Sequence, residues 1–300
     1  MLDRRNFILS LSGALALPAF GASAKRGRTI DLGYGLYGMK SVPVDTALGH
    51  CAEIGYRNVE LALYPGYGVS PDELSAARRT EIRRRVESLG LWLSGMKLRL
   101  LPSGDAGAEQ ANVATLTAAA QLARDLAPER PPVLIVMPDG KPADWDRLKG
   151  ALAERLRRWS GAVGALGVTL TIKAHVGFIV DTPERLLWLM REVEHPALKA
   201  VYDYSHFQLA GLTLDESLRA VVPHTRFIHV KDTRRTATGH EFVLPGAAGD
   251  IDYGHYFSLL RDLAYTGPVV VEVSTHVFSK PGYDPIAAAR QAYRALAPHA

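Results

Sequence analysis

Three side chains that could share one ion stand at the ends of short apolar runs in the second half of the chain. Asp203, His229 and Glu272 each follow or close a run rich in Val, Ile and aromatic residues. If these runs are parallel strands of one sheet, side chains at the same ends of the strands lie close together. Two carboxylates and an imidazole suit a divalent cation such as Mn²⁺, Mg²⁺, Co²⁺ or Zn²⁺ and leave positions open for substrate oxygens. The alternative for each residue is a polar group in a buried salt-bridge network.

Other polar residues stand at similar positions along the chain. They are Glu60, Lys97, Lys173, His175, His206 and Lys231. Glu60 could move a proton or accept a hydrogen bond from a sugar hydroxyl, and the alternative is an ion pair with Lys97. His175 could contact a substrate hydroxyl or Glu60, or be a buried core histidine. A further group of aromatic residues could form a wall that stacks on a sugar ring: Tyr34, Tyr37, Tyr64, Tyr204 and Trp145.

The elements that would position these residues alternate between two patterns. Short apolar runs, typical of strands buried on both faces, alternate with amphipathic stretches from Thr29 onward. The predicted strands are residues 29–36, 58–63, 91–98, 133–137, 168–173, 198–203, 226–231 and 269–273. Capping boxes at Ser70-Pro71-Asp72-Glu73 and Thr213-Leu214-Asp215-Glu216 predict two helix starts. Eight strand–helix units without a linker predict a single α/β domain, a (β/α)8 TIM barrel over residues 25–300, with its chemistry at the C-terminal strand ends.

Four segments resemble motifs of the xylose isomerase-like barrel superfamily, which includes sugar-phosphate isomerases and ketose 3-epimerases. They are Val201-Tyr202-Asp203-Tyr204-Ser205-His206, Phe227-Ile228-His229-Val230-Lys231-Asp232, Gly249-Asp250-Ile251-Asp252-Tyr253 and residues 269–272. The resemblance implies that Asp203, His229 and Glu272 are metal ligands and that His206 contacts substrate. The family's remaining ligand is a Glu on the fifth strand, and this chain has Lys173 at that position.

The lysine at that position leaves three outcomes open. A neutral Lys173 could act as a base beside a weaker three-ligand metal, or a charged Lys173 could replace the metal and stabilise an oxyanion. In the third outcome the barrel binds sugar without catalysis. The first two outcomes retain proton abstraction next to a carbonyl. We therefore predict a sugar isomerase or epimerase. The predicted catalytic residues are Lys173, Glu272 and Glu60, and the predicted substrate contacts are His206, His175, Lys231 and Lys97.

Other functions compete with this one. A lyase that acts on 3-keto-glycosides by β-elimination would use the same first step. The segment 33–38 matches G-x-G-x-x-G, but two tyrosines stand where backbone would approach a pyrophosphate, which disfavours an oxidoreductase. The superfamily also contains endonucleases for abasic sites. These enzymes need more metal ligands than this chain offers at its strand ends, and they need a basic groove, which the sequence does not predict. The loops after the seventh and eighth strands carry no obvious Arg cluster or Gly-rich nest for a phosphate, and Arg234 and Arg235 are the only nearby pair. We therefore expect a non-phosphorylated sugar or keto-sugar.

The composition and the N-terminus restrict the cellular context. The chain has 300 residues, a formal net charge of +4 and one cysteine, so an intrachain disulfide is excluded and a nucleic-acid partner is not expected. Arg4-Arg5 followed by a short apolar stretch and Ala22-Ser23-Ala24 predict a twin-arginine signal peptide over residues 1–24. We expect export to the periplasm, cleavage after Ala24, no membrane span in the mature chain, and a homo-oligomer as an open alternative to a monomer.

Overall fold

Eight parallel strands form the centre of the molecule. The computed structural model describes residues 29–102, 104 and 106–300. The barrel strands are β1 (Leu32–Gly35), β2 (Asn58–Leu63), β3 (Trp92–Leu98), β4 (Val133–Val136), β5 (Leu170–Lys173), β6 (Leu198–Tyr202), β7 (Thr225–Val230) and β10 (Val269–Val271). They close in the order β1-β10-β7-β6-β5-β4-β3-β2, which confirms the single (β/α)8 TIM barrel. All eight predicted strands are present, although most of them are shorter than the apolar runs.

Helices surround the strands and connect them. In the described part of the chain they are α1 (Val44–Ile54), α2 (Ala76–Ser88), α3 (Ala106–Leu126), α4 (Trp145–Gly164), α5 (Pro183–Val193), α6 (Tyr204–Leu209), α7 (Leu214–Val221), α8 (Tyr253–Asp262), α9 (Thr275–Phe278) and α10 (Pro285–Leu296). A hairpin of β8 (Asp232–Thr236) and β9 (Gly239–Val243) follows β7 directly. None of the described helices is long and apolar enough to cross a bilayer.

Of the two helix starts predicted from capping boxes, one is confirmed and the other is wrong. Thr213 caps α7, and its capping box with Glu216 is formed. At the other position the Ser70 N–H donates to Glu73 Oε2 at 3.0 Å, but this contact closes a turn. Helix α2 begins six residues later, because the Ser75 side chain accepts the hydrogen bond from the Arg78 N–H. The hydrogen bond predicted from the capping pattern is therefore formed, but it belongs to a turn and not to a helix.

Two apolar regions hold the barrel together. A large core lies between the strands and the surrounding helices and contains Cys51, which is fully buried as a small apolar side chain. A second cluster fills the barrel itself and consists of Val133, Ile135, Val201, Phe227 and Val270. Strand residues alternate between the two faces, so the residue two positions beyond an inward-facing one also faces inward. We call this second cluster the apolar plug. Charged residues follow its members along three of the strands.

Residues 1–28 lie outside the described residues. They include the predicted twin-arginine signal and its cleavage position, which therefore stay predictions. Residues 103 and 105, in the connection between β3 and α3, are also outside the described part of the chain.

Candidate functional site

The pleat of the strands carries charged side chains to one end of the barrel. Phe227 belongs to the apolar plug, and His229 and Lys231 follow it at intervals of two residues, with the rings of Phe227 and His229 5.0 Å apart. Val201 precedes Asp203 and Val270 precedes Glu272 at the same spacing. The apolar plug therefore ends in a charged layer at the C-terminal ends of the strands, where the sequence predicted it.

Lys173, the last residue of β5, lies at the centre of this layer. Its Nζ is 2.7 Å from Asp203 Oδ2, 2.6 Å from Glu272 Oε2 and 3.2 Å from His229 Nδ1. An ammonium group has three N–H donors, and here each one has an acceptor. The structure thus brings Asp203, His229 and Glu272 together as predicted, and it places Lys173 among them.

Two more lysines contact the same two carboxylates. Lys231 Nζ pairs with Asp203 Oδ2, lies 2.7 Å from Glu272 Oε2 and lies 3.2 Å from His206 Nε2. Lys97 on β3 donates to Glu272 Oε1. The predicted alternative of an ion pair between Glu60 and Lys97 is wrong, because Lys97 reaches across the barrel to Glu272. Of the three ammonium groups, that of Lys97 has a single hydrogen-bond partner among the described residues.

Glu60 pairs instead with an imidazole. Its Oε2 is 2.5 Å from His229 Nε2. Because His229 Nδ1 faces the ammonium of Lys173, the consistent tautomer carries its proton on Nε2 and donates it to Glu60. The other oxygen, Glu60 Oε1, is buried and has no hydrogen-bond partner among the residues that the structure describes. A carbon atom added at Gly35 would lie 3.4 Å from this oxygen, so the glycine keeps the space beside it open.

The whole cluster is withdrawn from solvent. Exposed fractions are between 0% and 6% for these residues: Glu60, Lys97, Lys173, Asp203, His206, His229, Lys231 and Glu272. Burial would raise the pKa of Asp203 and Glu272, but Lys173 and Lys231 outweigh it and hold both pKa values well below the usual range. Both carboxylates are therefore ionised. Burial lowers the pKa of Lys173, whereas at Lys231 the two carboxylates outweigh burial and raise the pKa.

Two neutral imidazoles lie next to the lysines. Burial and the ammonium of Lys231 hold the pKa of His206 well below its usual range. Burial, together with Lys173 and Lys231, lowers the pKa of His175 to about 4. The two rings lie 4.0 Å apart, and His175 Nδ1 is 2.7 Å from the Val176 carbonyl oxygen. The suggested contact of His175 with Glu60 is not formed, because Glu60 Oε2 pairs with His229 and Oε1 has no partner in the described part of the chain.

Aromatic residues from two loops cover the charged layer. Phe242 on β9 places its ring 4.9 Å from that of His206 and 4.8 Å from Lys231 Nζ. Its backbone N–H donates to His276 Nδ1 at 3.0 Å, which joins the hairpin to α9. Phe242 is not among the site residues predicted from the sequence, because neither a periodic pattern nor a motif marks a residue in this hairpin.

The second part of the cover includes two of the predicted stacking residues, Tyr37 and Tyr64. The ring of Tyr37 lies 4.6 Å from Lys97 Nζ and 5.1 Å from the rings of both Tyr64 and Phe278. Tyr37 and Tyr64 thus lie beside the site.

The other predicted stacking residues have structural partners. Tyr34 packs on Tyr56. Trp145 packs edge-on against Trp188. Tyr204 donates to the Leu212 carbonyl oxygen.

The glycine motif of residues 33–38 has a packing explanation. A side chain at Gly33 would meet Asn58 Oδ1 at 2.0 Å, and one at Gly38 would meet Val273 at 2.7 Å. Helix α1 begins only at Val44, so these glycines do not open a helix toward a pyrophosphate.

The donor atoms of a metal site are present, but the position between them is filled. One ligand atom each of Asp203, His229 and Glu272 lies within 4.8 Å of the others, a donor set that could hold a divalent ion. The ammonium of Lys173 contacts these same three side chains. Asp203 Oδ1 accepts from Ser205, and the remaining carboxylate oxygens accept from lysines. With Lys173 in this position, the residues fit an ammonium group and do not fit a metal.

Comparison with known proteins agrees with this architecture. A family model described as "Xylose isomerase-like TIM barrel" matches residues 48–299. Inosose dehydratase of Clostridium perfringens is 27% identical over 136 residues, which are 40% of this chain and 46% of the dehydratase. The match therefore spans less than half the length of that curated relative.

Two solved structures share the fold at low identity. The IOLI protein, in a structure with a zinc atom, superposes with a TM-score of 0.74 at 16% identity over 90% of this chain and 99% of that one. The 3-keto-D-glucoside 4-epimerase of E. coli superposes with a TM-score of 0.72 at 13% identity over 90% of this chain and 100% of that one.

Proposed function

The chain belongs to the xylose isomerase-like TIM barrel family, and on that premise we propose that it is an enzyme that moves a proton at the carbon beside a carbonyl group of a non-phosphorylated sugar or keto-sugar. The observation that carries this proposal is the free oxygen of Glu60. Glu60 Oε1 is buried and has no partner within residues 29–102, 104 and 106–300, and it lies in a layer that also holds three ammonium groups.

Glu60 is the base in this proposal. Asp203 and Glu272 have all their oxygens engaged by lysines or Ser205, whereas Glu60 has one oxygen free. A buried acceptor left without a partner costs roughly 1–3 kcal/mol, so a substrate proton or hydroxyl group is the partner that would remove this cost. His229 holds the other oxygen and thereby orients the carboxylate.

The ammonium groups stabilise the charge that develops on the substrate. When the base removes a proton from the carbon next to a carbonyl, the electron pair of that bond moves onto the carbonyl oxygen. Lys97 has N–H donors to spare and stands on the strand beside Glu60, so it is the donor for this oxygen. Lys173 and Lys231 add fixed positive charge behind it. Removing one preorganised donor of this kind costs about 10²–10³ in kcat.

The fate of the proton decides the product. Return to the opposite face of the same carbon gives an epimer. Return to the former carbonyl carbon gives an isomer when the proton of the neighbouring hydroxyl group also passes to the former carbonyl oxygen. Loss of a hydroxide from the next carbon, with a proton donated to it, gives dehydration. The similarity to an inosose dehydratase favours dehydration as the second candidate, and the fold shared with a keto-glucoside epimerase supports a keto-sugar as substrate.

A deuterium exchange experiment tests the proposal. The enzyme is incubated in D₂O with a ketose, an inosose or a 3-keto-glucoside, and proton NMR follows the carbon beside the carbonyl. We expect loss of that proton signal for at least one substrate, with an epimer, isomer or dehydrated compound as product. Binding of these compounds by calorimetry without exchange or turnover would contradict the proposal and support a sugar-binding barrel.

The cellular location is part of the proposal. A twin-arginine signal over residues 1–24 would place the enzyme in the periplasm, where glycosides without phosphate groups are available. Fractionation of cells that express the full chain, compared with an Arg4→Lys, Arg5→Lys variant, tests it. Equal amounts of both in the cytoplasm would contradict export.

A further inference from the structure

We propose that the ammonium group of Lys173 is the permanent cation of this site, in the position between Asp203, His229 and Glu272 that a divalent metal would take, so that the enzyme uses no metal ion. The occupancy of the position is independent of the proposed function. The catalytic part of this proposal, in which an ammonium group acts in place of a Lewis acid, rests on the proposed function.

The first support is the coordination of the lysine. Its three N–H donors face three acceptors at distances between 2.6 and 3.2 Å, and the side chain is fully buried. Lysine side chains usually leave part of their donors in water. Here the site supplies the complete set of acceptors, as a built binding site does for a cation.

The second support is that every side-chain oxygen or nitrogen of the three would-be ligands already has a hydrogen-bond partner. Glu272 binds Lys97 through Oε1 and binds both Lys173 and Lys231 through Oε2. His229 uses Nε2 toward Glu60 and Nδ1 toward Lys173. A metal would have to displace the ammonium of Lys173 from all three of its acceptors.

The third support is the balance of charge. Three ammonium groups, of Lys97, Lys173 and Lys231, face three carboxylates, of Glu60, Asp203 and Glu272, and all six side chains are nearly inaccessible to water. This set is neutral when every member is ionised and the imidazoles are uncharged. A divalent ion would add two positive charges to a buried neutral cluster, and uncompensated buried charge costs several kcal/mol per ion.

The arrangement also has a consequence for substrate recognition. A divalent metal with open positions can bind two neighbouring oxygens of a sugar at once. All three N–H donors of Lys173 are engaged, so the hydrogen bond to the substrate oxygen would come from Lys97. The site therefore holds one carbonyl oxygen by hydrogen bonding, which suits a ketone whose neighbouring carbon bears the acidic proton.

Metal binding measured without substrate tests the proposal. The purified full chain is loaded with Mn²⁺, Zn²⁺ or Mg²⁺, dialysed, and examined by elemental analysis and titration calorimetry. We expect no stoichiometric metal in the wild-type protein. The Lys173→Glu variant removes the ammonium and adds a carboxylate, and we expect it to bind one ion per chain. Lys149→Glu, the same charge change on the surface helix α4, is the control and should bind none.

The outcomes separate this proposal from the proposed function. One tightly bound ion per chain in the wild-type protein would overturn the permanent ammonium, even if the enzyme turns out to be an active isomerase. The permanent ammonium would also be overturned if the Lys173→Glu variant folded correctly and bound no more metal than the Lys149→Glu control. If that variant does not fold, the wild-type measurement decides alone. Activity unchanged by prolonged treatment with EDTA would support the catalytic part, and its abolition by EDTA would overturn it.

Discussion

Glu60 on β2 and His229 on β7 are 169 residues apart in the chain, and Glu60 Oε2 lies 2.5 Å from His229 Nε2. His229 in turn faces Lys173 through Nδ1. The free carboxylate oxygen and the central ammonium group are thus connected through one imidazole. A change at any member of this chain of contacts should affect the others.

Glu60→Gln should remove the proposed base while it retains the shape of the side chain. We expect kcat to fall by about 10²–10⁴, the usual contribution of a positioned base, with little change in KM. The rate of deuterium incorporation into the substrate measures the effect directly. Glu81→Gln on the exposed face of α2 is the matched control and should retain wild-type rates. Wild-type exchange in the Glu60 variant would mean that another group takes the proton.

Lys231→Met should destabilise the fold as well as reduce activity. The change leaves Asp203 and Glu272 each with one ammonium fewer in a buried site, and breaking a buried ion pair costs about 3–5 kcal/mol. Urea unfolding measures the loss. Lys280→Met is the comparison, because Lys280 is paired with Glu241 but is 55% exposed; a pair of this kind contributes at most about 1 kcal/mol. Equal effects of the two changes would contradict the buried network.

Gly95→Ala should overfill the inside of the barrel. An added carbon would lie 2.7 Å from Phe227 Cε2 and 2.9 Å from Ile135 Cδ1, both members of the apolar plug. Overpacking of this kind costs about 1–3 kcal/mol in the free energy of unfolding. Gly150→Ala on α4 meets no atom within 4 Å, and it should stabilise the protein by about 0.5–1 kcal/mol because alanine favours a helix. Opposite signs in urea unfolding are the expected result.

The ion pair between α7 and α8 should make stability depend on pH. His255 Nε2 lies 2.5 Å from Asp215 Oδ2, and this hydrogen bond raises the pKa of His255 above 6.5 and lowers that of Asp215. Since the folded pKa of the histidine is raised, the stabilisation is complete below pH 6.5 and is lost as the pH rises through the folded value. Melting temperatures of the wild type and His255→Gln should differ at pH 6 and converge above pH 8 (roughly, from the ordinary titration range of histidine). A constant difference would contradict this linkage.

The sequence by itself determined the barrel and the identity of the residues at its rim. Alternating apolar runs and amphipathic stretches are local properties, and eight such units leave few other architectures. The period of two along a strand then placed Asp203, His229 and Glu272 on inward faces, and Lys173 was identified as the lysine where the family has a glutamate. Helix starts were less certain, as Ser70 shows, because the same local hydrogen bonds close a turn or cap a helix.

Only the tertiary structure decided which charges meet. Glu60 and Lys97 stand on neighbouring strands, yet Glu60 pairs with His229 and Lys97 with Glu272. These contacts cross the barrel, so they depend on its closure, on the register of each strand and on the reach of a flexible four-carbon side chain. The cover by Phe242 depends on the path of a hairpin that has no periodic pattern. Contacts between distant segments are set by the packing of the whole chain, and spacing in the sequence carries no record of them.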